Sequence, residues 1–372
     1  MISRWKHAFA KDPVLFISGM MAAVTVFIIP PSAEYFSYID IRTLALLFSL
    51  MAVVSALSRK GLLDAAAGLF IRRAKSMRSL GRMLVLLCYA SSMFITNDVA
   101  LIAFVPLTLI LLRDDSRAML TTVVLQTVAA NLGSMLTPFG NPQNLYLYSA
   151  YGMNGADFFS AVLPAGGISL VAVLALCLLL PARPVTIRTG SAHAPFLADG
   201  SLWVLAALFF MCVAAVLRFV PYPLVVAAVI VVLLFMDRQA LKKVDYRLLV
   251  TFCFFFVFVG NLGRMEVVKS LLGGWLMGSE VFVSAMASQF VSNVPAALML
   301  SEFTQNGKAL VTGTNIGGLG TLIASMASLI SFKLYAKSEG AQPGRYLGLF
   351  SIINFGLLAL LLLLAVTAFA RL

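Results

Sequence analysis

The sequence predicts an all-α polytopic membrane protein, built as an inverted structural repeat with two re-entrant helical hairpins and two broken transmembrane helices. Three observations lead to this prediction. Of the 372 residues, 61% are hydrophobic and only 11% are charged, whereas soluble domains have about 25% charged residues. Apolar stretches alternate with short loops, which is typical of a helical bundle and not of a membrane barrel. Short motifs also recur in the same order in the two halves of the chain.

Nine apolar segments are predicted to cross the membrane as helices. Their bounds are 14–29, 41–57, 118–136, 158–180, 202–217, 224–236, 248–262, 309–332 and 347–369. Segments 62–77 and 267–276 are predicted to lie at the membrane surface. With a cytoplasmic N-terminus, most of the 27 Lys and Arg residues fall in cytoplasmic loops, which agrees with the positive-inside rule. The C-terminus is then periplasmic.

Two polar breaks are predicted to be the tips of re-entrant hairpins, at residues 83–112 and 279–302. The first tip contains Thr96-Asn97-Asp98 and the second contains Ser292-Asn293. The arm that leads to the first tip, residues 83–95, is about 20 Å long as a helix, and a hydrocarbon core is about 30 Å thick. One long helix bent at the polar residues is the alternative, but it would place arginines outside and invert every later loop.

Each half also contains a helix that is predicted to be broken, at residues 118–150 and 308–332. Residues 133–144 contain two prolines and two glycines, which regular helix does not tolerate. Residues 313–321 are rich in glycine. Open backbone at membrane depth must be buried or line a cavity. Its carbonyls can coordinate a cation, and the N-terminus of the next half-helix favours an anion.

The repeated motifs divide the chain. Asn131-Leu132-Gly133 with Thr137 matches Asn315-Ile316-Gly317 with Thr321, and matching residue numbers differ by 184. Asp40 and Asp245 also stand at matching helix starts. We expect the first repeat at residues 1–181, a linker and connecting helix at 182–217, and the second repeat at 218–372, running in opposite directions through the membrane.

The candidate substrate-binding residues lie at the tips and breaks. They are Thr96, Asn97, Asp98, Thr137, Asn141, Ser292, Asn293, Thr321 and Ser325. Asp98 is the one acid predicted near the midplane, where a carboxylate is costly. It can carry a proton, ligate sodium, or only cap a helix. We predict no catalytic residues, because no nucleophile stands with a base and no metal-ligand spacing occurs. The net charge of +12 is explained by cytoplasmic loops and not by nucleic acid.

These residues resemble the ion transporter superfamily, which includes arsenite permeases, NhaD-type antiporters, citrate transporters and divalent anion/sodium symporters. The resemblance is strongest to compact bacterial citrate-transporter-like anion permeases. Thr96-Asn97-Asp98 is similar to the arsenite-permease tip, and Ser292-Asn293 keeps the hydroxyl and amide of the symporters' Ser-Asn-Thr tip. Residues 140–144 are similar to the superfamily's Gly-x-Pro-x-Asn break. In the second break Met326 stands where a proline is expected.

The resemblance implies sodium-binding candidates at Asn97, Gly140, Asn293 and Ala324. It also implies a homodimer in the bacterial inner membrane and an elevator motion of a transport domain within a scaffold. We therefore expect a secondary active transporter of a small inorganic or organic anion, with Na⁺ or H⁺ as coupling ion and no cofactor. The alternative is a cation/proton antiporter or an arsenite-type oxyanion efflux permease in which Asp98 titrates. A non-transporting membrane receptor is the hypothesis from another class.

Overall fold

The computed structural model describes residues 13–63, 65, 68, 74–184 and 200–369. Within these residues the regular structure is helical, apart from an isolated bridge between Ser76 and Pro184. Five of the described helices are long and apolar enough to cross a membrane, or six if one bent pair counts as a single span. The prediction of an all-α polytopic membrane protein is therefore confirmed. The inverted direction of the two halves stays a prediction.

The helices are numbered here in chain order over the described residues. The first half contains α1 (Pro13–Ile28), α2 (Tyr35–Tyr38), α3 (Ile41–Arg59), α4 (Met77–Ile95), α5 (Asn97–Leu111), α6 (Ser116–Ser134), α7 (Pro142–Ala150), α8 (Gly155–Leu176) and a 3₁₀ turn (Cys177–Leu179). The remainder contains α9 (Gly200–Val216), α10 (Tyr222–Met236), α11 (Arg238–Lys242), α12 (Tyr246–Gly263), α13 (Glu266–Leu276), α14 (Glu280–Val291), α15 (Asn293–Ser301), α16 (Gly307–Ile316), α17 (Met326–Ala336) and α18 (Pro343–Phe369).

Aspartates at matching positions begin two of the long helices. Asp40 Oδ1 accepts a hydrogen bond from Thr43 N at 3.0 Å at the start of α3. Asp245 Oδ1 accepts hydrogen bonds from Arg247 N and Leu248 N at 3.1 Å at the start of α12. A carboxylate in this position satisfies free N–H groups and complements the helix dipole. The repeated aspartate therefore has a local structural role.

The helices pack in two groups. The outer group is α1, α3, α9, α10 and α12, in which α1 packs against α12, and α3 packs against α9 and α10. The inner group is α4–α8 with α14–α18, in which α4 packs against α6, α14 against α16, and α5 against α17. The main contacts that join the groups are those of α3 with α7 and of α12 with α15. Both hairpins and both breaks thus belong to the inner group.

The first hairpin begins earlier than residue 83, the predicted start. Helix α4 starts at Met77, because Ser76 caps it by accepting a hydrogen bond from Ser79 N at 3.2 Å. The first turn contains Arg78 and is polar, so it lies outside the apolar run but is helical. With this turn included, α4 alone is long enough to cross a membrane. The first arm of the hairpin is therefore 19 residues long and not the shorter segment, 83–95, that the sequence predicts.

The second half follows its predicted segments closely. The predicted crossing 309–332 is divided between α16 and α17, with residues 317–325 outside the helices. The predicted surface segment 267–276 corresponds to α13, which is bent by 115° from α14 and leaves Val267 and Trp275 exposed. Half of the other predicted surface segment, 62–77, lies outside the described residues, as do residues 185–199 of the predicted linker.

Candidate ion and substrate site

Both hairpins turn at a single residue with the same unusual backbone conformation. Thr96 has φ 72° and ψ 152°, and Ser292 has φ 74° and ψ 154°. Positive φ is unfavourable for residues that have a β-carbon, and such strain is concentrated at functional sites. Asn97 and Asn293 then begin α5 and α15. Each tip therefore combines a hydroxyl residue, an asparagine and the N-terminus of a helix.

The first break, residues 135–141, is held open by side-chain amides. Asn141 caps α7 by accepting a hydrogen bond from Asn144 N at 2.9 Å, and Pro142 occupies the first turn. Asn144 Nδ2 donates to the carbonyl oxygens of Thr137 at 3.0 Å and Met135 at 3.2 Å. Carbonyl groups that the broken helix leaves free are thus satisfied inside the protein, as buried backbone requires.

Gly140 lies in the first break where no larger residue fits. A β-carbon there would collide with the carbonyl oxygen of Ser134. The carbonyl oxygen of Gly140 receives no hydrogen bond from the described residues, whereas that of Ala324, its match in the second break, accepts one from Asn293 N at 2.9 Å. Of these two candidate sodium ligands, only the carbonyl of Gly140 is free of hydrogen bonds among the residues described.

The second break, residues 317–325, contains no proline and is held by a residue of the hairpin. Gln289 Nε2 donates to the carbonyl oxygens of Gly317 at 2.9 Å and Leu319 at 3.0 Å. Gln289 Oε1 accepts from Thr321 N at 2.9 Å. A β-carbon at Gly320, where φ is 99°, would collide with Gln289 Oε1. The last turn of α14 is therefore part of the structure of this break.

Matching threonines connect each break to its own hairpin. Thr137 Oγ1 donates to the carbonyl oxygen of Met93 at 2.5 Å. Thr321 Oγ1 donates to the carbonyl oxygen of Gln289 at 3.0 Å. Because a hydroxyl has one proton, these predicted substrate residues keep only acceptor capacity for a ligand.

Asn131 on α6 extends to the opposite break. Its Oδ1 accepts hydrogen bonds from Asn97 Nδ2 at 3.1 Å and Ser325 Oγ at 2.9 Å. Its Nδ2 donates to the carbonyl oxygen of Gly318 at 3.3 Å and to Ser328 Oγ at 3.2 Å. The helix that precedes the first break thus contacts the first tip and the second break with one buried side chain.

Asn315 on α16 makes the reciprocal connection to the first break. Its Nδ2 donates to Asn144 Oδ1 at 2.6 Å, and its Oδ1 accepts from Asn141 Nδ2 at 2.9 Å. Asn315 matches Asn131 in the repeated motif. Ser134 Oγ links the two sets of bonds, because it donates to the carbonyl oxygen of Asn131 at 3.0 Å and accepts from Asn141 Nδ2 at 3.2 Å. The two breaks are therefore joined in a single buried hydrogen-bonded unit, which we call the crossed asparagine unit and which consists of Asn97, Asn131, Ser134, Asn141, Asn144, Asn315 and Ser325.

The two tip asparagines are buried but differ in their partners. Asn97 Nδ2 donates to Asn131, and Asn97 Oδ1 accepts from Asp98 N at 3.0 Å. Asn293 bonds to Ala324 through its backbone, and its side chain makes no hydrogen bond with another described residue. The side-chain amide of Asn293 is consequently the one at the two tips that is available to a ligand.

The Oδ1 atom of the Asp98 carboxylate is buried and has no hydrogen-bond partner among the described residues. Asp98 lies in the first turn of α5, which has no side-chain cap hydrogen bond. Capping therefore does not account for this residue, although the helix dipole favours its charge. An intramembrane carboxylate without a partner is a candidate for binding a proton or a cation.

A cavity of about 280 Å³ borders the second tip and the second break. Helices α1 and α12 line one side, and Ser292, Ser325 and Ile323 lie on the other. Ile323 is 61% exposed. Its match in the first break, Phe139, is only 9% exposed and packs edge-on against Phe209 of α9, with ring centroids 6.2 Å apart. The second break is thus accessible from the boundary between the helix groups, whereas the first is covered.

The predicted tip and break residues lie close together in the structure. The side chains that join them by hydrogen bonds, however, were not predicted as site residues. Asn131, Asn315 and Gln289 were not among the candidate site residues. The repeated motif already contained the first two, and that repetition was the available signal. Nothing in the sequence distinguishes Gln289 from other glutamines in apolar helices.

Comparison with known proteins gives one family. The family model described as Citrate transporter, CitMHS, matches residues 8–306. An uncharacterized transporter of Methanocaldococcus jannaschii is 30% identical over 365 residues, which is 96% of this chain and 97% of that protein.

Two further relatives have more specific names. The inner membrane protein YbiR of Escherichia coli is 31% identical over 302 residues, 80% of each chain. The silicon efflux transporter LSI3 of Oryza sativa subsp. japonica is 29% identical over 156 residues, 41% of this chain and 32% of that protein. The chain therefore belongs to the citrate transporter family and is a multi-pass membrane transport protein, not an enzyme.

Proposed function

We propose that the protein is a secondary active transporter of a small inorganic or organic anion in the bacterial inner membrane, coupled to Na⁺ or H⁺. The observation that carries this proposal is the crossed asparagine unit, which joins both breaks and the first tip. Four helices, α5, α7, α15 and α17, begin beside it. Helix N-termini favour anions, so this arrangement suits an anion held without a side-chain cation.

The free carbonyl of Gly140 supports a coupling cation at the first break. We propose Asn97 and Gly140 as sodium ligands there. Asn293 and Ala324 are the corresponding candidates at the second break, where the Ala324 carbonyl must share its lone pairs with the tip. A cation bound next to the anion would offset its charge in a medium of low dielectric constant.

The division into two helix groups supports movement of the inner group against the outer one, as an elevator mechanism requires. The cavity beside the second tip lies on this boundary. The homodimer and the cytoplasmic N-terminus stay predictions. Arginines near the starts of α4, α6 and α18 support a cytoplasmic position for these helix ends in the inner membrane.

The direct test is thermal unfolding of detergent-purified protein with sodium, lithium or choline chloride, and with arsenite, sulfate, phosphate, dicarboxylates or tricarboxylates. An anion present at 100 times its dissociation constant should stabilise the protein by about 2.7 kcal/mol. We expect one anion to do so in sodium or at low pH, and Asn293→Ala to abolish this shift.

Asn154→Ala is the matched control, because it removes an exposed amide that caps α8, away from the tips. The control should unfold earlier but keep the whole ligand-induced shift. If Asn293→Ala keeps the shift, the anion site is not at this tip. If neither an anion nor a cation shifts the wild type, the receptor hypothesis stands.

The buried, unpaired Oδ1 of Asp98 favours a second candidate function, cation/proton antiport or oxyanion efflux. In that case transport in proteoliposomes should depend on pH in the wild type and lose this dependence in Asp98→Asn, because the amide does not titrate. Glu280→Gln, at the start of α14, is the control for loss of a buried acid. Unchanged pH dependence in Asp98→Asn would remove this candidate.

A further inference from the structure

A second cavity, with a polar lining, lies away from the tips, where α6 and α18 begin. Its volume is about 580 Å³. Its polar lining consists of Ser116, Arg117, Thr121, Gln342 and Arg345. None of these residues belongs to the crossed asparagine unit or to the hairpins. The cavity is therefore separate from the candidate ion and substrate site.

The charge of this lining is positive and not neutralised. The side chain of Arg117 makes no ion pair or hydrogen bond with another described residue, and that of Arg345 donates only to Gln342 Oε1, at 2.9 Å. Among the residues that the structure describes, no acid lines the cavity. Of the nearby acids, Asp115 accepts the N-terminal hydrogen bond of α6 from Ala118 N at 2.9 Å.

The other two acids near the cavity do not neutralise it either. Asp114 lies 3.7 Å from Arg113. Glu339 is exposed in the turn before α18 and is not part of the lining. The two arginines thus face the cavity without a counter-ion among the described residues, beside the positive ends of two helix dipoles.

The apolar part of the lining connects the cavity to the membrane. It consists of Leu120, Leu179 and Leu349, and Leu179 is 55% exposed. The candidate membrane span Gly155–Leu179 ends here, and the candidate span Pro343–Thr367 begins here. Both candidate spans thus have an end at the cavity, so we place its mouth at the edge of the hydrocarbon region, near the depth of lipid phosphate groups.

We propose that this cavity binds the phosphate group of an anionic phospholipid. Guanidinium groups suit phosphate oxygens, and Ser116, Thr121 and Gln342 supply further donors. Basic pockets between helices at a membrane face are a known form of lipid-headgroup recognition. Free phosphate has the same charge chemistry but no acyl chain, so it would leave Leu179 and Leu349 uncovered. The lipid is thus the better fit to the complete lining.

Native mass spectrometry of delipidated full-length protein provides the test, with dioleoylphosphatidylglycerol, dioleoylphosphatidylcholine or inorganic phosphate added. We expect one phosphatidylglycerol to bind more tightly than phosphatidylcholine or phosphate. Arg117→Gln/Arg345→Gln should weaken its binding roughly 25-fold, since each basic residue near an anionic surface contributes about a fivefold change in affinity.

Arg113→Gln/Lys337→Gln is the matched control, because it removes the same charge from two exposed residues that do not line the cavity. It should change the affinity less than twofold. Arg117→Gln alone removes no contact with the described residues and should weaken binding severalfold without lowering the unfolding temperature. Equal losses in the two double variants, or equal binding of both lipids, would overturn the proposal. Displacement of phosphatidylglycerol by millimolar phosphate would mean that the cavity binds free phosphate and not the lipid.

Discussion

The two breaks occupy matching places in the chain but are built from different contacts. In the first, two prolines and Asn144 hold the backbone open, and α9 covers Phe139. In the second there is no proline, Gln289 of the hairpin holds the carbonyl groups, and Ile323 is exposed beside a cavity. The first break is thus shaped by its own sequence, whereas the second depends on its hairpin and is accessible.

This difference separates the roles that we expect of the two halves. Substitutions in the first break should act mainly on folding, because its polar groups already bond to each other. Substitutions at the second tip should act mainly on ligand binding, because Asn293 has no side-chain partner among the described residues. Three sets of variants test this comparison.

Gly140→Ala is expected to have the largest effect. The new β-carbon would collide with the backbone carbonyl of Ser134, and such overpacking should lower the free energy of unfolding by about 3 kcal/mol or more. Ala324→Gly is the control at the matching position and should cost at most about 1 kcal/mol. Chemical or thermal unfolding in detergent measures both. Similar losses in the two variants would mean that the breaks are equally crowded.

Gln289→Met should have an intermediate effect. The methionine keeps the length of the side chain but leaves the carbonyls of Gly317 and Leu319 and the N–H of Thr321 without their partner, a cost of about 2 kcal/mol. The same substitution at Gln239, which is exposed on α11, should change the free energy of unfolding by less than about 0.5 kcal/mol. A stable Gln289→Met would show that the second break holds itself open.

Removing the tip amides should have the smallest effect on stability. Asn97→Ala breaks the bond to Asn131 and should cost about 1 kcal/mol without ligand. Asn293→Ala should cost less than about 0.5 kcal/mol, yet abolish stabilisation by the transported anion. Paired unfolding curves with and without ligand measure both quantities. The opposite ranking without ligand would contradict the difference between the tips.

Much of the local architecture was predictable from the sequence. The tips were expected at Thr96-Asn97 and Ser292-Asn293, and the chain turns at Thr96 and Ser292. The start of α4 was placed too late, because a capped polar turn extends the helix beyond its apolar run. Gln289 could not be recognised, since its role depends on carbonyls that lie about 30 residues further along the chain.

The sequence by itself determined where helices begin, end and open, because apolar length, capping side chains, glycine and proline act on neighbouring residues. It also determined which amides and hydroxyls stand at the tips and breaks. Only the tertiary structure decided that Asn131 bonds to the second break and Asn315 to the first. Those bonds require α6 to pack against α17 and α16 to pack against α7, and the packing of segments so distant in the chain is not encoded in any local pattern.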